Sequence, residues 1–140
     1  MLEQYKKRIL VTGGAGFIGN HVVRHLVNKY SDYLIVNFDA LTYAGNLENL
    51  SDIEKKYGTG VSEDKRRYHF IKGDICDRKL IEEILEKYQI DTIIHFAAES
   101  HVDRSIENPE AFLDTNIKGT AVLMDACRTY GVQRFHQVST

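Results

Sequence analysis

The sequence predicts a doubly wound α/β domain, in which helices cover both faces of one parallel sheet. Three observations predict this class. Five apolar runs alternate with helical patterns, a glycine-rich turn follows the first run, and an acidic residue ends the second. Such alternation is typical of parallel strands joined by crossover helices. We expect the strand order 3-2-1-4-5, with ligands bound at the carboxyl ends of the strands.

The first crossover has the clearest pattern. We predict strands at residues 8–12 and 33–38, both nearly continuous in apolar and β-forming residues, as strands buried on both faces should be. The helix between them is predicted at residues 17–30. Its apolar or aromatic side chains recur every fourth position on one face, at Ile18, Val22, Leu26 and Tyr30.

The next elements follow a polar stretch. A short helix is predicted near residues 47–57, and a third strand at residues 68–71. Asp77 is the predicted N-cap of the helix that comes next. That helix has a single apolar stripe, made of Leu80, Ile81, Ile84, Leu85 and Tyr88.

The last elements complete the sheet. A fourth strand is predicted at residues 92–96 and a fifth at residues 134–138. Between them, Pro109 stands where first-turn prolines occur, with Asn108 before it as the cap of a long helix. Gly131 is a suitable terminator for that helix.

The turn at residues 13–19 has the glycine spacing G-x-x-G-x-x-G. Gly13 allows a tight turn out of the strand, Gly16 lets the backbone approach a diphosphate, and Gly19 lets the helix pack on the strand. An anion would lie at the helix N-terminus, where free N–H groups and the macrodipole favour negative charge. A glycine-rich turn without a ligand is the alternative interpretation.

Asp39 favours the ligand-binding interpretation, because it ends the second strand twenty positions after Gly19. A carboxylate there can accept hydrogen bonds from an adenosine ribose and would repel a 2′-phosphate. We therefore predict nucleotide binding, with NAD favoured over NADP. A turn-capping role for Asp39 is the weaker alternative.

The composition excludes several classes of protein. The chain of 140 residues suffices for one domain, and a net charge of −2 gives no reason to expect nucleic acid or a membrane surface. The basic cluster at residues 65–67 follows two acidic residues and is predicted to be a solvated loop. No apolar run has the length of a membrane span. The two cysteines, Cys76 and Cys127, lack metal-ligand spacing, which favours reduced thiols in a cytoplasmic protein without bound metal.

Longer motifs point to a family. Residues 12–19, TGGAGFIG, resemble the fingerprint of the extended short-chain dehydrogenases that act on nucleotide sugars. Within that group, residues 39–46 (DALTYAGN) and 97–106 (AAESHVDRSI) resemble the dTDP-glucose 4,6-dehydratases. The resemblance implies a Rossmann-type fold, NAD as cofactor, dTDP-glucose as substrate, and a homodimer formed through long helices. It covers the whole chain but only the first part of the family's usual length.

The resemblance also implies site residues. Cofactor contacts are expected at Gly13, Gly16, Phe17, Ile18, Gly19, Asp39, Ala40, Leu41, Thr42, Asp74, Ile75, Phe96, Ala97, Ala98, Glu99, Ser100 and Thr115. Ser100 is expected to contact the substrate as well. Thr140 corresponds to the catalytic-site threonine that hydrogen-bonds the sugar 4-oxygen. Position 40 is usually lysine in the family, so Ala40 removes a charge near the adenosine.

The activity implied by the resemblance is dehydration through an internal redox cycle. Hydride leaves sugar C4 for NAD, elimination across C5–C6 follows, and hydride returns to C6. The family's Asp-Glu pair and Tyr-x-x-x-Lys pair are expected after residue 140, together with the last strands and the substrate domain. Residues 1–140 are therefore expected to form an incomplete NAD-binding domain that binds cofactor without turnover.

Other interpretations stay open. A nucleotide-sugar 4-epimerase or decarboxylase of the same superfamily would share the glycine turn, although the two longer motifs argue against it. A non-catalytic nucleotide-binding module is the third possibility. Among single residues, His95 is predicted to be a core histidine, and His21 and His25 to be surface or packing residues. Asp74 is predicted to be a ligand, with turn capping as the alternative.

Overall fold

The computed structural model describes residues 2–41, 47–96, 110 and 114–138. Its parallel strands are β1 (Lys7–Thr12), β2 (Tyr33–Asp39), β3 (Tyr68–Lys72), β4 (Thr92–His95) and β5 (Arg134–Gln137). Their order in the sheet is β3-β2-β1-β4-β5, and each neighbouring pair is parallel. The predicted fold class and strand order are confirmed.

Helices cover both faces of this sheet. They are α1 (Phe17–Lys29), α2 (Ser51–Tyr57), α3 (Arg78–Lys87) and α4 (Thr120–Tyr130). Short 3₁₀ turns lie at Leu2–Gln4, Leu47–Leu50 and Glu63–Lys65, and a π-helical turn at Asp114–Gly119 leads into α4. The predicted start of the long helix at Asn108 and Pro109 lies outside the described residues.

Two predicted helix ends are confirmed. The Asp77 carboxylate accepts a hydrogen bond from the backbone N–H of Leu80 at 3.2 Å, which caps α3. Gly131 has φ +69°, the left-handed conformation that ends a helix most easily at glycine. Both signals were readable because each depends on one residue type at one position.

Alternate residues of β1 pack on opposite sides of the sheet. Leu10 joins a core layer with the apolar stripes of α3 and α4, whereas Ile9 and Val11 join one with α1 and α2. Such two-sided burial explains why the central strands read as continuous apolar runs. The buried face of α1 differs from the predicted stripe. It consists of Gly19, Asn20, Val23 and Val27, with Leu26 at its edge, while Ile18 is 59% exposed.

The basic loop at residues 65–67 is not simply solvated, so that prediction was wrong for two of its members. Arg67 donates hydrogen bonds to the carbonyl oxygens of Val27 and Tyr30, both at 2.8 Å, and its guanidinium lies 4.4 Å from the centre of the Tyr57 ring. Arg66 donates to two loop carbonyls. Arg67 thus joins the segment before β3 to the end of α1, whereas Arg66 bonds to the loop that follows α2.

Candidate functional site

Backbone hydrogen bonds connect the carboxyl ends of the central strands. The N–H of Gly13 donates to the Phe38 carbonyl at 2.7 Å, and the N–H of Phe96 donates to the Thr12 carbonyl at 2.8 Å. Ligands of parallel α/β sheets bind at this edge, where the strand order reverses about β1. The first residues after β1, β2 and β4 are therefore held next to one another.

The glycine turn has the geometry that its spacing predicted. Gly13 has φ +77°, a conformation that favours glycine. A Cβ at Gly19 would lie 2.2 Å from the Gly13 carbonyl oxygen, so α1 packs on the turn more closely than any side chain allows. Gly16 is the N-cap of α1, and no side chain caps that helix end. Its first backbone N–H groups therefore lack the side-chain acceptor that occupies them in most helices.

Position 14 also requires glycine, although the glycine spacing of the turn does not indicate this. A Cβ there would lie 2.2 Å from Asn37 Oδ1 and 2.9 Å from a methyl carbon of Val23. Asn37 is fully buried in β2, and its amide nitrogen donates to the Tyr68 hydroxyl at 3.1 Å. Its Oδ1 has no hydrogen-bond partner among the described residues. A polar residue inside an otherwise apolar strand was the signal that could have revealed this contact.

Asp39 connects the end of β2 to the glycine turn. Its carboxylate accepts hydrogen bonds from the backbone N–H of Ala15 at 2.9 Å and of Leu41 at 2.8 Å. The residue is 7% exposed, and Leu41 has φ +56°. The turn-capping alternative is thus present in the structure. It is compatible with ligand binding, because each carboxylate oxygen can accept more than one hydrogen bond.

The first turn of α1 faces solvent beside Asp39's strand end. Phe17 is 80% exposed and Ile18 is 59% exposed, and the Phe17 ring meets His21 edge-on at 5.8 Å. Large apolar side chains at a helix N-terminus are available to cover a ligand. His21 and His25 are both exposed, as predicted.

Asp74 and Ile75 follow β3 and have different roles in the structure. The Asp74 carboxylate accepts a hydrogen bond from the Cys76 N–H at 2.9 Å, so it does cap its turn. The Ile75 side chain is 4% exposed and packs so closely on α4's start that a Cβ at Gly119 would lie 2.2 Å from its Cδ1. The Ile75 side chain therefore belongs to the core and not to the exposed edge of the sheet.

His95 is a core histidine, as predicted. It is 2% exposed; its Nδ1 lies 2.6 Å from the Thr12 hydroxyl, and its Nε2 lies 3.1 Å from the Thr120 hydroxyl. Burial lowers the pKa of His95 to about 4. The ring is therefore neutral at neutral pH, and it links β1, β4 and α4 just before Phe96.

One Tyr-x-x-x-Lys spacing occurs in the sequence, at Tyr68 and Lys72. The position of Tyr68 in the fold rules out a role as the catalytic base. Both residues lie on β3, and Tyr68 is 1% exposed with its hydroxyl against Asn37. Burial raises the pKa of Tyr68 to about 12. A tyrosine acting as a base near neutral pH needs the opposite shift.

Several predicted site residues lie outside the described part of the chain. They are Thr42, Ala97, Ala98, Glu99, Ser100 and Thr140. Thr115 lies within the π-helical turn at Asp114–Gly119. Such turns are frequent at functional sites, which agrees in kind with a ligand contact there.

The described residues contain neither a cluster of metal ligands nor a membrane-spanning helix. Within residues 2–41, 47–96, 110 and 114–138, no group of three histidine, cysteine or acidic side chains could hold a metal ion. In the same ranges, no helix combines the length and apolar character needed to cross a membrane. Cys127 is buried, and burial raises the pKa of its thiol to about 11.

The sheet topology and the glycine turn together define a Rossmann-type α/β domain. The family model described as GDP-mannose 4,6 dehydratase matches residues 10–140. The chain belongs to that family.

Individual members of known enzyme groups are similar to this chain. The chain is 49% identical to a dTDP-glucose 4,6-dehydratase of Salmonella typhimurium, over 95% of the chain and 37% of the relative. A dTDP-glucose 4,6-dehydratase of Bacillus anthracis, solved in complex with NAD, superposes with a TM-score of 0.78 at 40% identity, over 96% of this chain and 37% of that one. A UDP-glucose 4-epimerase of Thermotoga maritima, solved with UDP-glucose, gives 0.79 at 34% identity, over 95% and 38%. The chain thus spans about 37% of the curated relative's length.

Proposed function

We propose that this chain is the NAD-binding part of a dTDP-glucose 4,6-dehydratase. The observation that carries the proposal is the uncapped first turn of α1 beside the buried Asp39 carboxylate, at the carboxyl edge of the sheet. The free N–H groups of that turn suit a diphosphate, and Asp39 suits a ribose without a 2′-phosphate. The 49% identity to a named dTDP-glucose 4,6-dehydratase supports the substrate class.

The residues proposed to bind the cofactor fall into three groups. The glycine turn and the N–H groups of Phe17 and Ile18 would hold the diphosphate. Asp39, with Ala40, Leu41 and Thr42 after it, would hold the adenosine ribose, and Asp74 with the Ile75 backbone would border the adenine. Those proposed for the nicotinamide half are Phe96, Ala97, Ala98, Glu99, Ser100 and Thr115.

For the whole enzyme we propose conversion of dTDP-glucose to the 4-keto-6-deoxy sugar nucleotide. The cofactor would accept hydride from C4 and return it to C6. Thr140 would donate a hydrogen bond to the sugar 4-oxygen, and Ser100 would contact both substrate and cofactor. Because the chain spans about 37% of the curated relative's length, we propose that residues 1–140 bind NAD and that the proton-transfer residues belong to another part of the whole enzyme.

Separate calorimetric titrations of the chain with NAD⁺ and with NADP⁺ test the cofactor site. We expect saturable NAD⁺ binding that is at least tenfold tighter than NADP⁺ binding. Asp39→Asn keeps the shape of the side chain but removes its charge. We therefore expect the variant to bind NAD⁺ more weakly and to show a smaller difference between its NAD⁺ and NADP⁺ affinities. Equal affinities for both dinucleotides in the wild-type chain would contradict the role of Asp39.

A 4-epimerase is the second candidate, because an epimerase structure superposes as well as a dehydratase structure does. Incubation of the full-length enzyme with dTDP-glucose separates the two. A dehydratase yields a 4-keto-6-deoxy product with its characteristic absorbance in alkali, whereas an epimerase yields a C4 epimer of unchanged mass. Detection of only the epimer would overturn the dehydratase assignment.

We also propose that the whole protein is a cytoplasmic homodimer. Ile117 and Met124 are 61% and 56% exposed, and they lie seven positions apart in the helical segment formed by Asp114–Gly119 and α4. Exposed apolar side chains at this spacing suit a helix-to-helix contact between subunits. Sedimentation of the full-length protein tests it: we expect a dimer for the wild type and a monomer for Met124→Glu.

A further inference from the structure

We infer that Asn20 is a positioning residue for the diphosphate, holding the first turn of α1 in shape while leaving its N–H groups free. The inference rests on the proposed NAD site. It concerns a residue that neither the glycine spacing nor the sequence motifs single out. The observation behind it is a pair of hydrogen bonds made by a buried side chain to the glycine-flanked turn.

The Asn20 side chain bonds back to the start of its own helix. Its Nδ2 donates to the carbonyl oxygen of Gly16 at 2.8 Å and to that of Phe17 at 2.7 Å. The backbone N–H of Asn20 also donates to Gly16, at 3.0 Å. Both side-chain partners are carbonyl oxygens, which only accept, so the atom facing them must be the amide nitrogen. Asn20 is 5% exposed, so its side-chain amide is largely withdrawn from solvent.

The first turn of α1 lacks the side-chain cap that orders most helix starts, so hydrogen bonds from within the helix gain importance. Gly16 has no side chain to cap the helix, and glycines lose more conformational entropy on ordering than other residues. Phe17 and Ile18 are exposed, so their side chains add little packing, and the close packing of this turn is that of the Gly19 backbone on Gly13. Among the described residues, the side-chain hydrogen bonds to the carbonyl oxygens of Gly16 and Phe17 are the two from Asn20.

The way in which Asn20 stabilises the turn matters for binding an anion. An ordinary N-cap side chain accepts hydrogen bonds from the first N–H groups of the helix, the same donors that a diphosphate requires. Asn20 acts from inside the helix and bonds carbonyl oxygens instead. The turn is thereby ordered without any competitor for its N–H groups, and a ligand pays less ordering entropy when it binds.

The test compares ligands that contain a diphosphate with one that does not. Wild-type chain, Asn20→Ala and Asn20→Ser are titrated with NAD⁺, ADP-ribose and adenosine, by calorimetry or by NMR shifts for the weak ligand. We expect Asn20→Ala to bind NAD⁺ and ADP-ribose about 3- to 10-fold more weakly, from the loss of two hydrogen bonds that order the site. Adenosine affinity should be unchanged. The NAD⁺ and ADP-ribose affinities of Asn20→Ser should fall between those of the wild type and Asn20→Ala, since a serine hydroxyl can donate to the carbonyl four residues earlier.

Asn28→Ala is the matched control, because Asn28 lies on the same helix, is exposed, and contacts Tyr57 near the other end. It should bind all three ligands as the wild type does. Equal NAD⁺ affinity of wild type and Asn20→Ala would overturn the inference alone, and so would an equal loss for adenosine, which marks general unfolding of the site. If the wild-type chain fails to bind NAD⁺ at all, the proposed cofactor site falls and the role of Asn20 with it. Asn20→Ser gives the same comparison if Asn20→Ala does not fold.

Discussion

The carboxylate of Asp39 accepts a hydrogen bond from the backbone N–H of Ala15 at 2.9 Å, across a separation of 24 residues. This contact joins the end of β2 to the middle of the glycine turn. Ala15 is fully buried, so its N–H has no access to water. The residue proposed to bind the ribose is therefore also the one that fixes the position of the diphosphate turn.

Replacing Asp39 by alanine should destabilise the fold as well as weaken cofactor binding. The buried N–H of Ala15 would lose its acceptor, which costs about 1–3 kcal/mol of unfolding free energy. Urea denaturation without ligand measures this cost. Asp32→Ala is the control, because Asp32 is exposed in the turn before β2, and we expect it to change stability by less than about 0.5 kcal/mol. A stable Asp39→Ala variant would show that the turn does not depend on this hydrogen bond.

The contact between Gly14 and Asn37 predicts a rescue by a second substitution. Gly14→Ala alone should cost about 1–3 kcal/mol, since the new methyl group would overlap Asn37 Oδ1. Gly14 is not among the residues with positive φ, so the cost is one of space. Adding Asn37→Ala should recover part of the loss, as a coupling of about 1 kcal/mol or more in a double-mutant cycle.

Gly13→Ala is the control for that cycle. Its cost comes from a backbone with φ +77°, which removing the Asn37 side chain does not relieve. Asn37→Ala should therefore rescue Gly14→Ala and leave Gly13→Ala as it is. Additive free energies at position 14 would contradict the steric explanation.

Much of the fold could be read from the sequence because the relevant signals are local. The strand order followed from five apolar runs, and the caps at Asp77 and Gly131 followed from residue type and position. The face of α1 was harder to predict. Ile18 matches the apolar period, but it is exposed beside the glycine turn, while the smaller Gly19 and Asn20 are buried.

The parts of the site that the sequence did not reveal depend on contacts between distant residues. Two such contacts are that of Asn37 with Gly14 and that of Arg67 with the end of α1. Each joins segments more than 20 residues apart, and no spacing rule anticipates it. Asp39 was predicted as a ligand for its place at a strand end, yet its two backbone hydrogen bonds require the folded turn. A polar residue in an apolar strand, such as Asn37, is the usable warning of such a contact.

Arg67 should contribute to stability as a C-terminal cap of α1. It donates to two carbonyl oxygens of the last turn, Val27 and Tyr30, and its charge complements the helix dipole. We expect Arg67→Ala to lower the unfolding free energy by about 1–3 kcal/mol. Arg67→Lys should recover little, because a lysine cannot make both hydrogen bonds and stack on Tyr57. Lys65→Ala, at an exposed position of the same loop, is the control, and a loss as large as that of Arg67→Ala would refute the capping role.

The buried imidazole of His95 predicts a loss of stability in mild acid. Its pKa is about 4 in the folded chain, against about 6.5 when unfolded, so the unfolded state binds more protons between those values. Stability contributed by the neutral ring is complete above pH 6.5 and is lost as the pH falls toward 4. From pH 7 to pH 5 the loss should be about 2 kcal/mol in excess of that in His95→Asn, by urea denaturation at both values. Burial also lowers the pKa of His69, but that contribution is common to both proteins and cancels in the comparison. Parallel pH profiles for the wild type and His95→Asn would mean that the ring stays accessible to protons, contrary to the hydrogen bonds that join it to Thr12 and Thr120.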